Sequence, residues 1–312
     1  MAELTVTKSR ILLKGVKDFG SPLVSMGVSG KASIKSSLST KAFLVGNSLE
    51  RALNEDDSLD YYGTADICGE DTTLQSLSVS GSVNEVEVSE DNTVLKSLEV
   101  QVENLTRFNV PESNNYETLK VVSSKGGNQS LTLRSKALKV LEINLPEIQQ
   151  LSIQECVSLT NLIVYNYYLQ SILLNSLSAL KKVELIRTSI IDLNLEYNDQ
   201  LTDLTLKSSD TSDIHLPSSV RYVNIDTCNN LTVLDFTDIQ SLTDLLIYNS
   251  QELNRIILVG TQVEQDVTKM TNLINSLLTR SSKPSGVIEI KNQQIADQIK
   301  SLAEYKNWTI LV

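Results

Sequence analysis

The chain has 312 residues, 41% of them hydrophobic but only 5% aromatic, and a formal net charge of −11. Phosphate binding needs a basic footprint, so this charge argues against nucleic acid as a general partner. Three dispersed cysteines, Cys68, Cys156 and Cys228, exclude a disulfide framework, and a single histidine excludes His-rich zinc sites.

The charge is unevenly placed. Residues 1–49 carry seven Lys/Arg against Glu3 and Asp18, about +5, which leaves −16 over the rest. The first apolar block, Ile11-Leu12-Leu13, is too short for an export signal or a membrane insertion. The expectation is a chain kept in the cytosol or released by a route other than secretion. Leu4-Thr5-Val6 and Ile11-Leu12-Leu13 read as short strands, with Gly15, Gly20, Pro22, Gly27 and Gly30 marking turns. Residues 33–45 suit a strand or a short helix, and residues 48–53 a helical turn before Glu55-Asp56-Asp57. Two compatible roles fit residues 1–70: a cap over the open end of a stacked fold, or an attachment segment whose basic face docks on an acidic partner.

From Leu74 a six-residue apolar frame begins, first irregularly, as Leu74-x-x-Leu77-x-Val79 and Leu95-x-x-Leu98-x-Val100. From Leu138 it becomes regular, as in Ile148-x-x-Leu151-x-Ile153 and Leu159-x-x-Leu162-x-Val164, and it ends with Leu253-x-x-Ile256-x-Leu258. Eighteen such half-units recur at about 10.5 residues. The last two apolar positions lie two apart, which is strand periodicity with the residue between them facing out. The recurrence is too short for a strand plus a helix. Two half-units therefore make one coil with a strand on each side. About nine coils stacked at roughly 4.8 Å would give a rod of about 40 Å.

Beyond Leu258 the pattern changes. Thr261-Gln262-Val263-Glu264 has capping-box spacing. Val263, Val267, Met270, Ile274 and Leu277 follow at helical intervals. A strand at 287–290, a second helix marked by Ile295, Ile299 and Leu302, and a strand at 308–312 complete the chain. The expected division is 1–70 N-terminal cap or attachment region, 71–260 solenoid, and 261–312 helix–strand–helix–strand cap, with Trp308 in the core of that cap.

The motifs of common catalysts do not occur: no phosphate-cradling Gly loop, no His-Glu-x-x-His, no Gly-x-Ser-x-Gly. No catalytic residue, metal ligand set or cofactor is implied. Outward positions are where a solenoid presents function. One side offers a contact face with Tyr165, Tyr222, Tyr248, Glu184 and Lys207, since aromatic residues are enriched in interfaces. The other carries an acidic patch of Asp192, Asp213, His215 and Asp235, suited to a cation, to a basic partner, or simply to solvation. Paired carboxylates there would also be the starting material for glycoside hydrolysis.

The frame Leu-x-x-Leu-x-Leu-x-x-Asn/Cys resembles the leucine-rich repeat, with Cys156, Asn198 and Cys228 at its ninth position, eight residues after Ile148, Ile190 and Val220. Leu201-Thr-Asp-Leu-Thr-Leu and Leu231-Thr-Val-Leu-Asp-Phe resemble the short two-strand variety of bacterial and bacteriophage proteins, over residues 74–260. The resemblance implies a mainly β leucine-rich-repeat solenoid with an α/β C-terminal cap, and inward-turned ninth residues that hydrogen-bond the bends. It implies a non-enzymatic protein-binding or structural role. Similar repeats on bacterial adhesins come with export signals, whereas those of bacteriophage virions need none. The expectation is therefore a virion structural, decoration or host-contact protein, made in the host cytoplasm. A bacterial adhesion or interaction protein, at the cell surface or secreted, is the alternative, and a carbohydrate-active solenoid a minor one. The expected partner is a protein, with oligomerisation left open.

Overall fold

The computed structural model describes residues 95–312, apart from 112–114, 127–128 and 238, and before them the eight strands between Glu3 and Val88. The fold is mainly β with parallel strands, an arrangement compatible with a β-solenoid. Contacts group the chain into two compact units, Met1–Leu159 and Thr160–Val312. The helical turn expected at 48–53, the acidic run 55–57 and Cys68 lie outside the described residues.

In the first unit, the strands Glu3–Thr7 and Arg10–Lys14 form an antiparallel pair. From Arg10–Lys14 onward the same sheet continues in parallel through Lys31–Ile34, Thr64–Ile67, Glu85–Val88 and Arg107–Asn109. A second parallel sheet runs Ser25–Gly27, Lys41–Gly46, Ser76–Gly81, Ser97–Leu105, Thr118–Gly126 and Val140–Asn144. Alternate stacking therefore reaches back well before Leu74. Residues 33–45, which suit strand or helix by sequence, enter two strands on two different sheets.

In the second unit the parallel sheet is Asn161–Tyr165, Lys182–Ile186, Asp203–Lys207, Tyr222–Asp226 and Asp244–Tyr248. Each strand shows buried residues at its second and fourth positions. Register aligns Leu162, Val183, Leu204, Val223 and Leu245 in one inward column, and Val164, Leu185, Leu206, Ile225 and Ile247 in another. The two columns follow directly from the apolar frame, since each inward side chain rests on its counterpart one coil away. Burying each contributes roughly 1.5–3 kcal/mol before entropy is counted.

The opposite side is thinner. Asp192–Asn194 pairs with Asp213–His215, and Val233–Asp235 begins a parallel sheet continued by Arg255–Ile257, Gly286–Glu289 and Trp308–Leu311. The frame at Leu169-x-x-Ile172-x-Leu174 makes no strand, although Leu169 and Leu174 are buried. Between them Leu173 points out and is 78% exposed.

The bends explain how so few glycines suffice. Arg187, Ser208, Thr227 and Asn249, each just after a strand, adopt positive φ between 51° and 56°. The next residue, Thr188, Ser209, Cys228 or Ser250, turns inward and is buried. Ser209 Oγ bonds Leu185 O at 3.2 Å, and Ser250 Oγ accepts from Cys228 N–H at 3.3 Å. Cost of the left-handed residue is roughly 1–2 kcal/mol, offset by backbone bonds such as Ser208 N–H to Asp226 O at 2.8 Å.

The chain closes with a 3-10 turn Val263–Gln265, helix α1 (Val267–Ser276) and helix α2 (Gln293–Tyr305). Asp266 caps α1 by accepting from Thr268 and Lys269 N–H, and Asn292 caps α2 through Ile295 N–H. The expected capping box is present only in part. Thr261 Oγ1 accepts from Glu264 N–H at 3.4 Å, but Glu264 returns to Gly260 N–H instead of Thr261. At the other end of α1, Lys306 Nζ donates to Asn275 O and Leu277 O, where a cation suits the exposed carbonyls. Burial pulls the Lys306 ammonium below its ordinary pKa. Trp308 is buried, with Nε1 bonded to Leu278 O at 3.2 Å.

Candidate functional site

Outward residues of the second unit's five-stranded sheet form three rows. One row is Tyr165, Ile186, Lys207, Asp226 and Tyr248; the middle row is Ile163, Glu184, Thr205, Asn224 and Leu246. The third is Asn161, Lys182, Asp203, Tyr222 and Asp244. The five residues expected to make contact therefore share one face: Tyr165, Lys207 and Tyr248 in one row, Glu184 and Tyr222 in the others. Four strand spacings put Tyr165 and Tyr248 roughly 19 Å apart.

This face is pre-ordered by local pairs. Arg187 lies over the Tyr165 ring at 5.2 Å and the Tyr167 ring at 5.4 Å, so one cation holds two aromatics. Lys182 Nζ meets Glu184 Oε1 at 2.6 Å. At the last strand, helix α1 raises a wall: Ser276 Oγ accepts from Ile247 N–H at 3.0 Å and Lys269 Nζ lies 3.3 Å from Asp244 Oδ2. The hydroxyl satisfies an amide on an otherwise open sheet edge. Leu246, Tyr248, Asn272, Asn275 and Ser276 line a shallow cleft of about 420 Å³ at this step.

In the first unit the middle outward row of the described strands, Glu99, Lys120 and Glu142, is charged, and Glu117 and Lys139 add charges just before two of them. Lys120 sits between Glu99 and Glu142 at 3.7 and 4.0 Å, and Lys139 Nζ bonds Glu117 at 2.7 Å. That hydrogen bond, with the Lys139 charge, holds the Glu117 carboxyl below its ordinary pKa. Among the described residues these charges of unit 1 pair with one another, whereas unit 2 exposes rings.

Further exposed apolar groups lie on the bends and thin side of unit 2. Tyr167, Tyr168, Leu173, Ile191 and Tyr197 all stand out, Tyr197 at 64%. Counting outward positions of the frame finds Leu173 but not the other four, which follow a strand or precede one. Their signal in the sequence is a large apolar residue where the frame calls for turn residues.

The acidic patch is partly assembled. His215 Nε2 lies 3.6 Å from Asp192 Oδ1 and 3.5 Å from Asp213 Oδ2, with donor atoms of all three within 4.8 Å of one another. Register on adjacent strands brings them together. Glu196, absent from the expected set, joins through Oε1 at 3.8 Å from His215 Nδ1. Asp235 takes no part in the cluster; its Oδ1 accepts from Thr237 N–H and Oγ1 at 2.8 and 2.6 Å, an Asx turn. All three carboxylates are solvated, so the arrangement holds His215 in place at little energetic return.

Cys156 and Cys228 both point inward and are buried. Cys156 Sγ faces Leu133 O and Gln154 O at 3.7 and 3.3 Å. Burial raises its thiol pKa and pushes that of Cys228 up to about 11. Both remain protonated at neutral pH, the wrong state for a nucleophile. Asn198 fills the same bend position on the thin side, with Nδ2 donating to Leu174 O and Leu177 O at 2.9 and 3.0 Å.

A scan against protein-family models and a search of curated proteins return no match.

Proposed function

We propose that this protein is a non-enzymatic, protein-binding or structural leucine-rich-repeat solenoid of the short two-strand type, using the tyrosine-bearing face of its second unit for contact. The observation that carries this reading is the register that places Tyr165, Lys207 and Tyr248 in one outward row. Rigid rings lose little conformational entropy on binding, and Arg187 already holds Tyr165. Backbone bonds between coils keep the rows fixed, so a partner meets a preorganised surface.

The finer assignment is a bacteriophage virion structural, decoration or host-contact protein, and it rests on the likeness of the Leu-x-x-Leu-x-Leu frame to repeats of that kind. Density-gradient-purified particles are the test. Antibody against the chain should detect it in the virion fraction at a fixed ratio to the major capsid protein. Detection only in a bacterial envelope fraction would instead support the adhesion protein. For the face itself, Tyr165, Tyr222 and Tyr248 changed together to Ser should cost tenfold or more in binding to the particle, with unchanged melting. Full binding by that variant would remove the face from the proposal.

A further inference from the structure

Away from the tyrosine face, a cleft of about 220 Å³ opens at the C-terminal cap between residues 250–253 and 278–283, with Trp308 in its wall. One side chain there has unfinished business. Arg280 is only 8% exposed; its Nε donates to Pro284 O at 2.9 Å, Nη1 donates to Leu253 O, and its guanidinium lies 5.5 Å from the Trp308 ring. Those bonds use two of five N–H donors, and among the described residues no carboxylate forms an ion pair with Arg280. A buried charge answered by two carbonyl dipoles, a ring and the more distant Glu252 carboxylate is costly, and a bound anion in direct contact would relieve it.

The lining narrows the chemistry of that anion. Lys283 does not compete, because its Nζ is committed to Glu252 Oε1 and Gln251 O at 2.6 and 2.9 Å. The Glu252 carboxylate, bonded to Lys283 and near enough to interact with the Arg280 charge, disfavours a dianion such as phosphate. Leu253, Leu278 and Trp308 offer apolar surface, while Thr279 and Ser282 bring hydroxyls. The volume admits only a compact group. A planar carboxylate matches the guanidinium fork, and a short aliphatic body matches the apolar wall.

We propose that this cleft binds a small monocarboxylate with a short aliphatic body, either a free acid or the C-terminal residue of a peptide. The site does not depend on the contact role of the tyrosine face. Trp308 is the single tryptophan of the chain, so its fluorescence reports on the cleft without a label. The full chain is titrated at constant ionic strength with isovalerate, isovaleramide, inorganic phosphate, and the acid and amide forms of N-acetyl-valyl-leucine. Isovalerate should give a saturable change, with isovaleramide and phosphate at least tenfold weaker. Of the two acids, the tighter identifies the source, peptide end or free metabolite.

Arg280→Gln should weaken the acid at least tenfold. Since Arg280 also ties the cap to Leu253, Ser282→Phe provides a second variant at an exposed rim position, expected to block binding while leaving melting unchanged. Equal binding of acid and amide, tighter binding of phosphate, or no saturation by either acid below about 10 mM would overturn the proposal.

Discussion

Glu264 and Lys291, 27 residues apart, are joined by a 2.5 Å hydrogen bond from the Lys291 N–H to Glu264 Oε2. The other carboxylate oxygen accepts from Gly260 N–H at 2.9 Å and Gln265 Nε2 at 3.2 Å, in a residue that is 1% exposed. One side chain thus fastens the bend after the last repeat to the end of the strand Gly286–Glu289. Glu264→Ala leaves both backbone donors without that partner and should cost about 1–3 kcal/mol. Glu264→Gln, keeping one acceptor oxygen, should lose roughly half as much. Urea denaturation of the two variants checks the order; a Gln variant as stable as the parent would mean the side chain acts by packing alone.

Asn198 makes the second prediction. Its amide holds the carbonyls of Leu174 and Leu177, the latter one coil earlier in the same bend position. Asn198→Ala should destabilise by about 2 kcal/mol, the combined cost of a small cavity and two lost hydrogen bonds, although Leu174 O and Leu177 O each keep a backbone donor, the N–H of Leu177 and of Leu180. Asn198→Asp should be worse, because a carboxylate cannot donate to either carbonyl and its charge would be buried. Thermal melting orders the three proteins, and an Asp variant as stable as the parent would refute the donor role.

Cys228 links stability to alkaline pH. Burial raises its thiol pKa from 9.0 to about 11, so the unfolded chain loses this proton at lower pH than the folded one. The stabilisation is fully present below pH 9 and is lost as pH rises through 11. It should amount to about 3 kcal/mol. The difference in pH profile between the parent and Cys228→Ala isolates it from other groups titrating in that range. Matching slopes from pH 8 to 11 would show that the thiol does not contribute.

Asp192 and Asp213 are exposed and flank His215 at 3.6 and 3.5 Å. Exposed pairs of this kind are worth well under about 1 kcal/mol, so Asp192→Asn with Asp213→Asn should leave melting nearly unchanged. Millimolar calcium should likewise leave the parent's melting temperature in place. A calcium-dependent rise that the double variant abolishes would reassign the cluster as a cation site.

The inward columns were the most legible feature, because a two-residue spacing repeated every ten or eleven residues leaves one way to bury Leu204 and Leu206 together. The helices followed equally well from Met270, Ile274, Ile295 and Ile299, all buried. The bends were harder. Looking for Asn or Cys at the ninth position finds Asn198 and Cys228 but passes over Thr188, Ser209, Ser250 and Thr261, although any small hydrogen-bonding side chain serves there. The parallel stacking of strands such as Lys31–Ile34 and Lys41–Gly46 was hidden for another reason, since the Leu-x-x-Leu-x-Leu frame does not extend to them. Among site residues, the three tyrosines were readable as outward positions. Arg187 was not, since its contact with Tyr165 spans one whole coil. Arg280 was equally hidden, because its partners Leu253 and Trp308 come from both sides of it in the chain.

The outward rows also bear on how such a chain can grow. Tyr165, Ile186 and Lys207 are 21 residues apart, and each occupies the same place in its strand. Duplicating a whole coil would insert one more member into every row and leave both ends intact. Duplicating half a coil would deliver the next strand to the wrong sheet and misplace every residue after it. Length in the second unit is therefore quantised, and a gene encoding it can gain or lose members of these rows only in whole-coil steps.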